Sequence, residues 1–429
     1  VPIEFMQIIA IAPLLLAFLF GLYVEMKLYR GPVVALYLAL LVVYIVPQCV
    51  ISFNATQDET ATYVFSLWGA LFLLCFGSFR CLLYLYIIRR LSVNGLSNDS
   101  RTSFTLYFLL LSGFVFLLAA VDFNLPNAMR LEWAELRSES PALITLASYC
   151  FIFSSSLLVV LCERRSWLML ILVVTSIVFA VSLLKSRAVL VSYFSALIIY
   201  LYYRFDKGVG AKLTILAGAL VVGFLYVSAR AVRHVGSIED VFQSPANFIE
   251  ALVSADYGEF ELIKAAYYIY STDSVADELY SDALLRRILF FYIPSDLSWL
   301  KPRDISHALW DSYTGLLGVG GSYHVGAVLD SYFNNEKIGF LIYPLLYAFL
   351  FFLMDCLVRC SGYYRALMYG PLITACFYIG RGAVYNGVMI LVAAVMFFAL
   401  VALMLGLTSG ILSRMRRAFS YPDSGSAVL

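Results

Sequence analysis

Three histidines, His234, His307 and His324, all fall within one polar stretch, residues 231–336, of an otherwise apolar chain. A neutral imidazole accepts a hydroxyl proton near pH 7, so each is a candidate general base. His324 leads the three. It stands in Gly320-Gly321-Ser322-Tyr323-His324-Val325-Gly326, with Asp330 just beyond. Glycines there let backbone approach a ligand closely. The plainer alternative is a turn that ends in a capping histidine. On one continuous helix His324 and Asp330 would point to different sides. No Walker lysine follows the glycines, so a nucleotide loop is not supported.

Cations form the second set. Lys185 and Arg187 flank Ser186 in a tight connection between two apolar runs. Arg230 and Arg233 follow another run, and Arg381 interrupts a third in Gly380-Arg381-Gly382. A guanidinium presents a planar fork that suits phosphate oxygens and keeps its charge when desolvated. Three such groups at one membrane depth fit a lipid-linked pyrophosphate. The alternative for any one of them is snorkelling to lipid phosphates. No Asp/His cluster has metal-ligand spacing, and none of the eight cysteines forms a CxxC, so neither a metal nor another cofactor is expected.

The elements that must position these residues are membrane helices. Of 429 residues 62% are hydrophobic and 13% charged, against about 25% charged in a soluble domain. So few charges cannot coat a soluble globule, and membrane lipids must solvate much of the surface. Net charge is +1, which gives no reason to expect a nucleic-acid partner. Apolar runs fall near 6–25, 32–52, 61–87, 104–122, 142–162, 167–184, 188–203, 213–229, 338–358, 366–380 and 383–409. A spanning helix needs about 20 residues, and the runs at 188–203 and 366–380 are shorter than that. The first run of the chain lacks a basic segment ahead of it and is followed by further runs, so it reads as a span rather than a cleaved leader.

Lys and Arg alternate between the short loops. One set holds Lys27, Arg30, Arg89, Arg90, Arg101, Arg164, Arg165, Arg204, Lys207, Lys212, Arg359, Arg365, Arg414, Arg416 and Arg417. The positive-inside bias places that set in the cytoplasm, with the C-terminus, and residues 231–336 outside. The expected organisation is four parts. They are 1–230 with about eight spans, an outer loop 231–336, 337–410 with about three spans, and a cytoplasmic tail 411–429. The loop is rich in aromatics, among them Trp299, Trp310, Tyr323 and Tyr332, and its segments 239–253 and 257–270 have amphipathic helical spacing. Such rings stack on sugars or pack the loop's own core.

Four segments resemble the bacterial oligosaccharide repeat-unit polymerases, the O-antigen or Wzy-type family, whose relatives are the O-antigen ligases. Leu183-Leu184-Lys185-Ser186-Arg187-Ala188-Val189-Leu190 is similar to the family's Ser-Arg signature at an outer helix junction. Arg286-Arg287, Ile293-Pro294 and Trp299-Leu300-Lys301-Pro302 resemble its "Arg … Ile-Pro … Trp … Lys-Pro" loop segment. Asp330-Ser331-Tyr332-Phe333-Asn334-Asn335-Glu336-Lys337-Ile338-Gly339 is similar to its acidic-Tyr run into a helix, and Arg381-Gly382 is the fourth. Asp330 stands where family members often carry Glu, and Asn335-Glu336 where they often carry Phe-Gly.

The resemblance implies an all-α polytopic bundle of about 11–12 helices of the GT-C type, with one long ordered periplasmic loop. It implies a multi-pass glycosyltransferase of the bacterial inner membrane, its active site facing the periplasm. The reaction would join undecaprenyl-pyrophosphate-linked repeat units into O-antigen, part of lipopolysaccharide, or a related surface polysaccharide, passing the growing glycan to a new lipid-linked unit and releasing undecaprenyl pyrophosphate. His324, Arg187 and Asp330 would be catalytic. Lys185, Arg230, Arg233, Arg381, Lys301, Tyr323, Tyr332 and Trp299 would bind substrate. A chain-length regulator, a polysaccharide co-polymerase, would be a partner. Two rivals are an O-antigen ligase, which passes glycan to lipid A core, and a polysaccharide transporter or flippase. Against the transporter, the chain has no evident internal repeat.

Overall fold

The computed structural model describes residues 3–53, 59–91, 100–124, 140–184, 187–204, 259–272, 283–290, 301–302, 304–315, 323–360 and 362–419, with a few single positions between them. Every regular element among these residues is helical. The first group is α1 (Ile3–Tyr23), α2 (Val34–Leu40), α3 (Val46–Phe53), α4 (Glu59–Tyr86) and α5 (Ser100–Ala120). A π-helical stretch, Leu41–Ile45, joins α2 to α3 without a turn. Next come α6 (Pro141–Ser154), α7 (Leu157–Glu163), α8 (Trp167–Leu184) and α9 (Arg187–Arg204). The polar stretch contributes α10 (Glu259–Thr272), α11 (Ala283–Leu289) and α12 (Ile305–Thr314). The chain continues through α13 (Gly326–Cys360), α14 (Gly362–Arg381) and α15 (Val384–Phe419).

Among the described residues, seven helices are long and apolar enough to cross a membrane, and the protein is membrane-embedded. They match the runs expected at 6–25, 61–87, 104–122, 142–162, 167–184, 338–358 and 383–409. Two more apolar helices, Val34–Cys49 and Val189–Arg204, are shorter. The run at 213–229, the amphipathic segment 239–253 and the tail from 420 lie outside the described residues. The helix α14 is a different case. Its residues from Ala366 to Cys376 are all buried, because it packs against α2, α6, α9, α13 and α15 at once. A helix surrounded by protein need not be as apolar as one facing lipid.

α1 and α13 each pack along α4, and all three run in the same direction. Rings pair along α4 and α13 as Trp68 with Phe340, Phe72 with Tyr347, and Phe76 with Phe351, at centroid separations of 5.4, 6.2 and 6.2 Å. In lipid, packing of this kind holds helices together, since the surrounding tails are as apolar as the side chains. At the end of this ladder sits a charge cluster. Arg80 bonds both oxygens of Glu25, at 2.6 and 2.9 Å, and reaches Asp355 Oδ2 at 2.7 Å. All three side chains are buried. The ring of Tyr29 lies 3.6 Å from the guanidinium carbon, and Arg359 donates to the Tyr29 carbonyl at 2.8 Å. The same end carries the Arg204–Glu163 ion pair, at 3.1 Å, and the bond from Tyr203 Oη to the Gly31 carbonyl.

The other end of α13 is bent. Helical dihedrals fail at Asn335 (φ −147°, ψ 32°) and Glu336 (φ 47°, ψ −138°), so residues 326–334 form a short helix turned away from the spanning part. The break falls where the sequence places the end of the outer loop. Tyr343 Oη donates to Asn335 Oδ1 at 2.8 Å and holds it. The turn also needs Gly339, where a Cβ would stand only 2.0 Å from the Ser331 carbonyl oxygen. That neighbour is backbone and cannot swing aside. Gly339→Ala is therefore expected to destabilise the fold by about 1–3 kcal/mol, the usual range for overpacking. Thermal unfolding in detergent measures it, and an unchanged midpoint would contradict the tight turn.

Candidate functional site

The described helix α10 of the polar stretch is docked onto the bundle. Tyr267 on α10 donates to Gln48 Oε1, and Gln48 Nε2 donates to the Thr62 carbonyl and to Ser66 Oγ, both at 2.8 Å. Phe65 packs its ring against Tyr267 and Tyr270, at 5.4 and 5.1 Å. The expectation of a helix over 257–270 corresponds to α10.

The short helices α11 and α12 meet the bent end of α13 and the start of α15 around one cleft. It is a shallow cleft open to solvent, with an empty volume of about 310 Å³ that includes open solvent. Arg287, Asp304, Asp330, Asn334, Tyr385 and Asn386 line it with Gly382 and several apolar residues. The backbone closes in on itself there. Gly382 has φ +98°, and a Cβ on it would lie 2.4 Å from the Gly326 nitrogen. Only glycine fits where the turn after α14 meets the start of α13.

Each lining side chain has a reason to be where it is. Arg287 ends α11. Its Nη1 donates to the Pro302 carbonyl at 2.8 Å, and its guanidinium carbon lies 4.6 Å from the centre of the Tyr385 ring. Lys301 Nζ lies 5.7 Å from that same ring and donates to the Ile293 carbonyl at 3.1 Å. Two cations thus approach one aromatic ring. Asp304 caps α12, accepting from the Ser306 backbone nitrogen at 3.0 Å and its hydroxyl at 2.7 Å. Its other oxygen lies 3.6 Å from Arg287 Nε, an ion-pair distance too long for a hydrogen bond. Burial raises the Asp304 carboxyl, but the Ser306 bonds and the charges of Arg287 and His324 outweigh it, so the group is held below its ordinary range.

Asp330 is on the short helix of α13, 7% exposed, and its Oδ2 has no hydrogen-bond partner among the described residues. Asn334 holds it in place. Asn334 Nδ2 donates to the Asp330 carbonyl at 2.7 Å, and Asn334 Oδ1 accepts from the Leu284 nitrogen on α11 at 2.9 Å.

The residues singled out by sequence are distributed unevenly. Asp330 lines the cleft, and Lys301 shares the Tyr385 ring at its edge. His324 lies just ahead of α13, not on it, close enough to Asp304 to act on its charge, and is not part of the lining. The helix begins at Gly326, so the facing expected from one continuous helix does not apply. Arg381 ends α14 next to the lining Gly382. Tyr323 is 6% exposed and packs against Trp310 and Tyr313, at 4.9 and 5.6 Å, so its ring belongs to the core of this region. Tyr332 packs among Phe65, Tyr270 and Phe340. Arg187 opens α9, with its side chain outside the described set, and Lys185, Arg230, Arg233 and Trp299 lie outside the described residues.

Sequence reasoning did not assign a role to Arg287, Asp304, Asn334 or Tyr385. For Asp304 a signal existed, since Asp-x-Ser ahead of a helix is a capping pattern. No protein-family model, curated protein or solved structure matches the chain.

Proposed function

We propose that this protein is a membrane glycosyltransferase that joins polyprenyl-pyrophosphate-linked oligosaccharides, in the manner of the repeat-unit polymerases its motifs resemble. The observation that carries the reading is a cleft at the end of a membrane bundle, lined by Arg287 and two carboxylates, with Lys301 near the same Tyr385 ring that Arg287 approaches. A pyrophosphate leaves readily once its growing negative charge meets preorganised cations in a site shielded from water. Carboxylates next to those cations suit the hydroxyls of the incoming sugar. The lipid tail of such a substrate stays in the bilayer while its headgroup enters the cleft.

On this reading the cleft faces the periplasm across the bacterial inner membrane. The Arg80 end faces the cytoplasm, in agreement with the lysines and arginines that follow Glu25, Arg80 and Asp355 in sequence. The bundle is then of the GT-C type, and a chain-length regulator would dock on the periplasmic side.

The test is reconstitution. Purified protein in lipid nanodiscs is given a fluorescent undecaprenyl-pyrophosphate-linked oligosaccharide, and products are separated by size. A ladder of multiples of the repeat unit supports the proposal. Transfer only when lipid A core is supplied would make the protein a ligase. Substrate movement across vesicles without any new glycosidic bond would make it a transporter.

A further inference from the structure

Two carboxylates line the cleft, and their surroundings differ. Asp304 is committed, with one oxygen held by Ser306 and the other facing Arg287. Asp330 keeps an oxygen without a hydrogen-bond partner among the described residues, although the residue is more than nine-tenths buried. Leaving such an oxygen unsatisfied is costly, and a ligand O–H placed in the cleft would satisfy it. The Asn334 bonds to the Asp330 backbone carbonyl and to the Leu284 nitrogen tie the helix that carries Asp330 to α11.

The geometry points to Asp330, rather than His324, as the general base that takes the proton of the attacking sugar hydroxyl. This rests on the glycosyltransferase reading above. In the step, the acceptor oxygen forms a bond to the anomeric carbon of the donor while the bond from that carbon to the pyrophosphate oxygen breaks. The bonding pair leaves with the pyrophosphate, whose charge meets Arg287 and Lys301. The hydroxyl proton passes to Asp330 Oδ2, so charge and atoms balance without a further reactant. Among the described residues, the charged and titratable groups that line the cleft with Asp330 or act on its charge are Arg287 from α11, Asp304 ahead of α12, Tyr347 further along α13 and Tyr385 on α15, with Lys301 near the Tyr385 ring and His324 near Asp304.

The test uses the full-length protein in nanodiscs with the lipid-linked oligosaccharide, comparing wild type, Asp330→Asn, Asp330→Glu and His324→Gln. Asparagine keeps the shape of the side chain and removes its ability to take a proton. A general base contributes about 10²–10⁴-fold. The expected result is a fall in kcat of at least about 10²-fold in Asp330→Asn at little change in KM. The acidic limb of the wild-type pH–rate profile should disappear with it, return at a shifted position in Asp330→Glu, and persist in His324→Gln. A higher KM with kcat and the acidic limb intact would make Asp330 a binding residue and overturn the assignment. So would loss of the limb in His324→Gln. A wild type that forms no glycosidic bond would overturn both this assignment and the reading it rests on. An active wild type with an equally active Asp330→Asn would overturn this assignment alone.

Discussion

Arg80→Ala is expected to cost the protein about 3–5 kcal/mol of stability, the typical penalty for breaking a buried ion pair from one side. Arg80, on α4, is the one described side chain bonded to both Glu25, just after α1, and Asp355 on α13, and all three are buried. Removing it leaves two carboxylates close together with no water to solvate them. Tyr29 would lose the cation against its ring as well. The measurement is the fraction of folded, monodisperse protein after detergent extraction, together with its thermal midpoint. A triple replacement, Glu25→Gln with Arg80→Met and Asp355→Asn, should recover much of the loss, because swapping all the charges for neutral groups is often close to neutral. If Arg80→Ala were as stable as wild type, the cluster would not be holding the three helices.

Arg287→Ala is expected to lower the rate of glycan transfer by about 10²–10³-fold, the size seen when one preorganised charge-stabilising group is removed. Arg287 is anchored by Pro302 and lies beside Asp304 and Tyr385, so it needs no rearrangement to meet a developing charge. A charge that acts on the departing pyrophosphate changes kcat more than KM. Arg287→Lys should recover only part of the activity, since an ammonium cannot bond Pro302 and span Tyr385 as the flat guanidinium does. Steady-state kinetics on purified variants measures this. A rise in KM alone would assign Arg287 to ground-state binding.

Much of the membrane architecture was legible in the sequence because lipid imposes length and polarity directly. The run read at 167–184 has the same bounds as α8, and the run at 104–122 overlaps α5 closely. The charge cluster was not found, although Glu25, Arg80 and Asp355 each stand in or beside an apolar run. A window of about 20 residues absorbs one charge without ceasing to read as a span. Charges inside such runs are functional or paired by default, and that rule alone would have marked all three.

The candidate site was only partly legible. Asp330 and Lys301 were reached through local motifs. Arg287, Asp304 and Tyr385 become neighbours only when α11, α12 and α15 close around α13, and no spacing in the chain encodes that. Tyr323 shows the opposite failure. Its type suits a sugar, but Trp310 and Tyr313 already pack against its ring. Residue type proposes a role, and packing decides whether the face is available.

Release of polyprenyl pyrophosphate during glycan transfer tests the central claim most directly. Purified wild-type protein would be mixed with lipid-linked oligosaccharide under single-turnover conditions, and both the free lipid pyrophosphate and the new glycosidic bonds would be quantified by mass spectrometry. The account predicts that the two appear together in equal amounts, and that both fall in parallel in Arg287→Ala. Bond formation that survives loss of Arg287 unchanged, or lipid pyrophosphate released with no new bond, would contradict it.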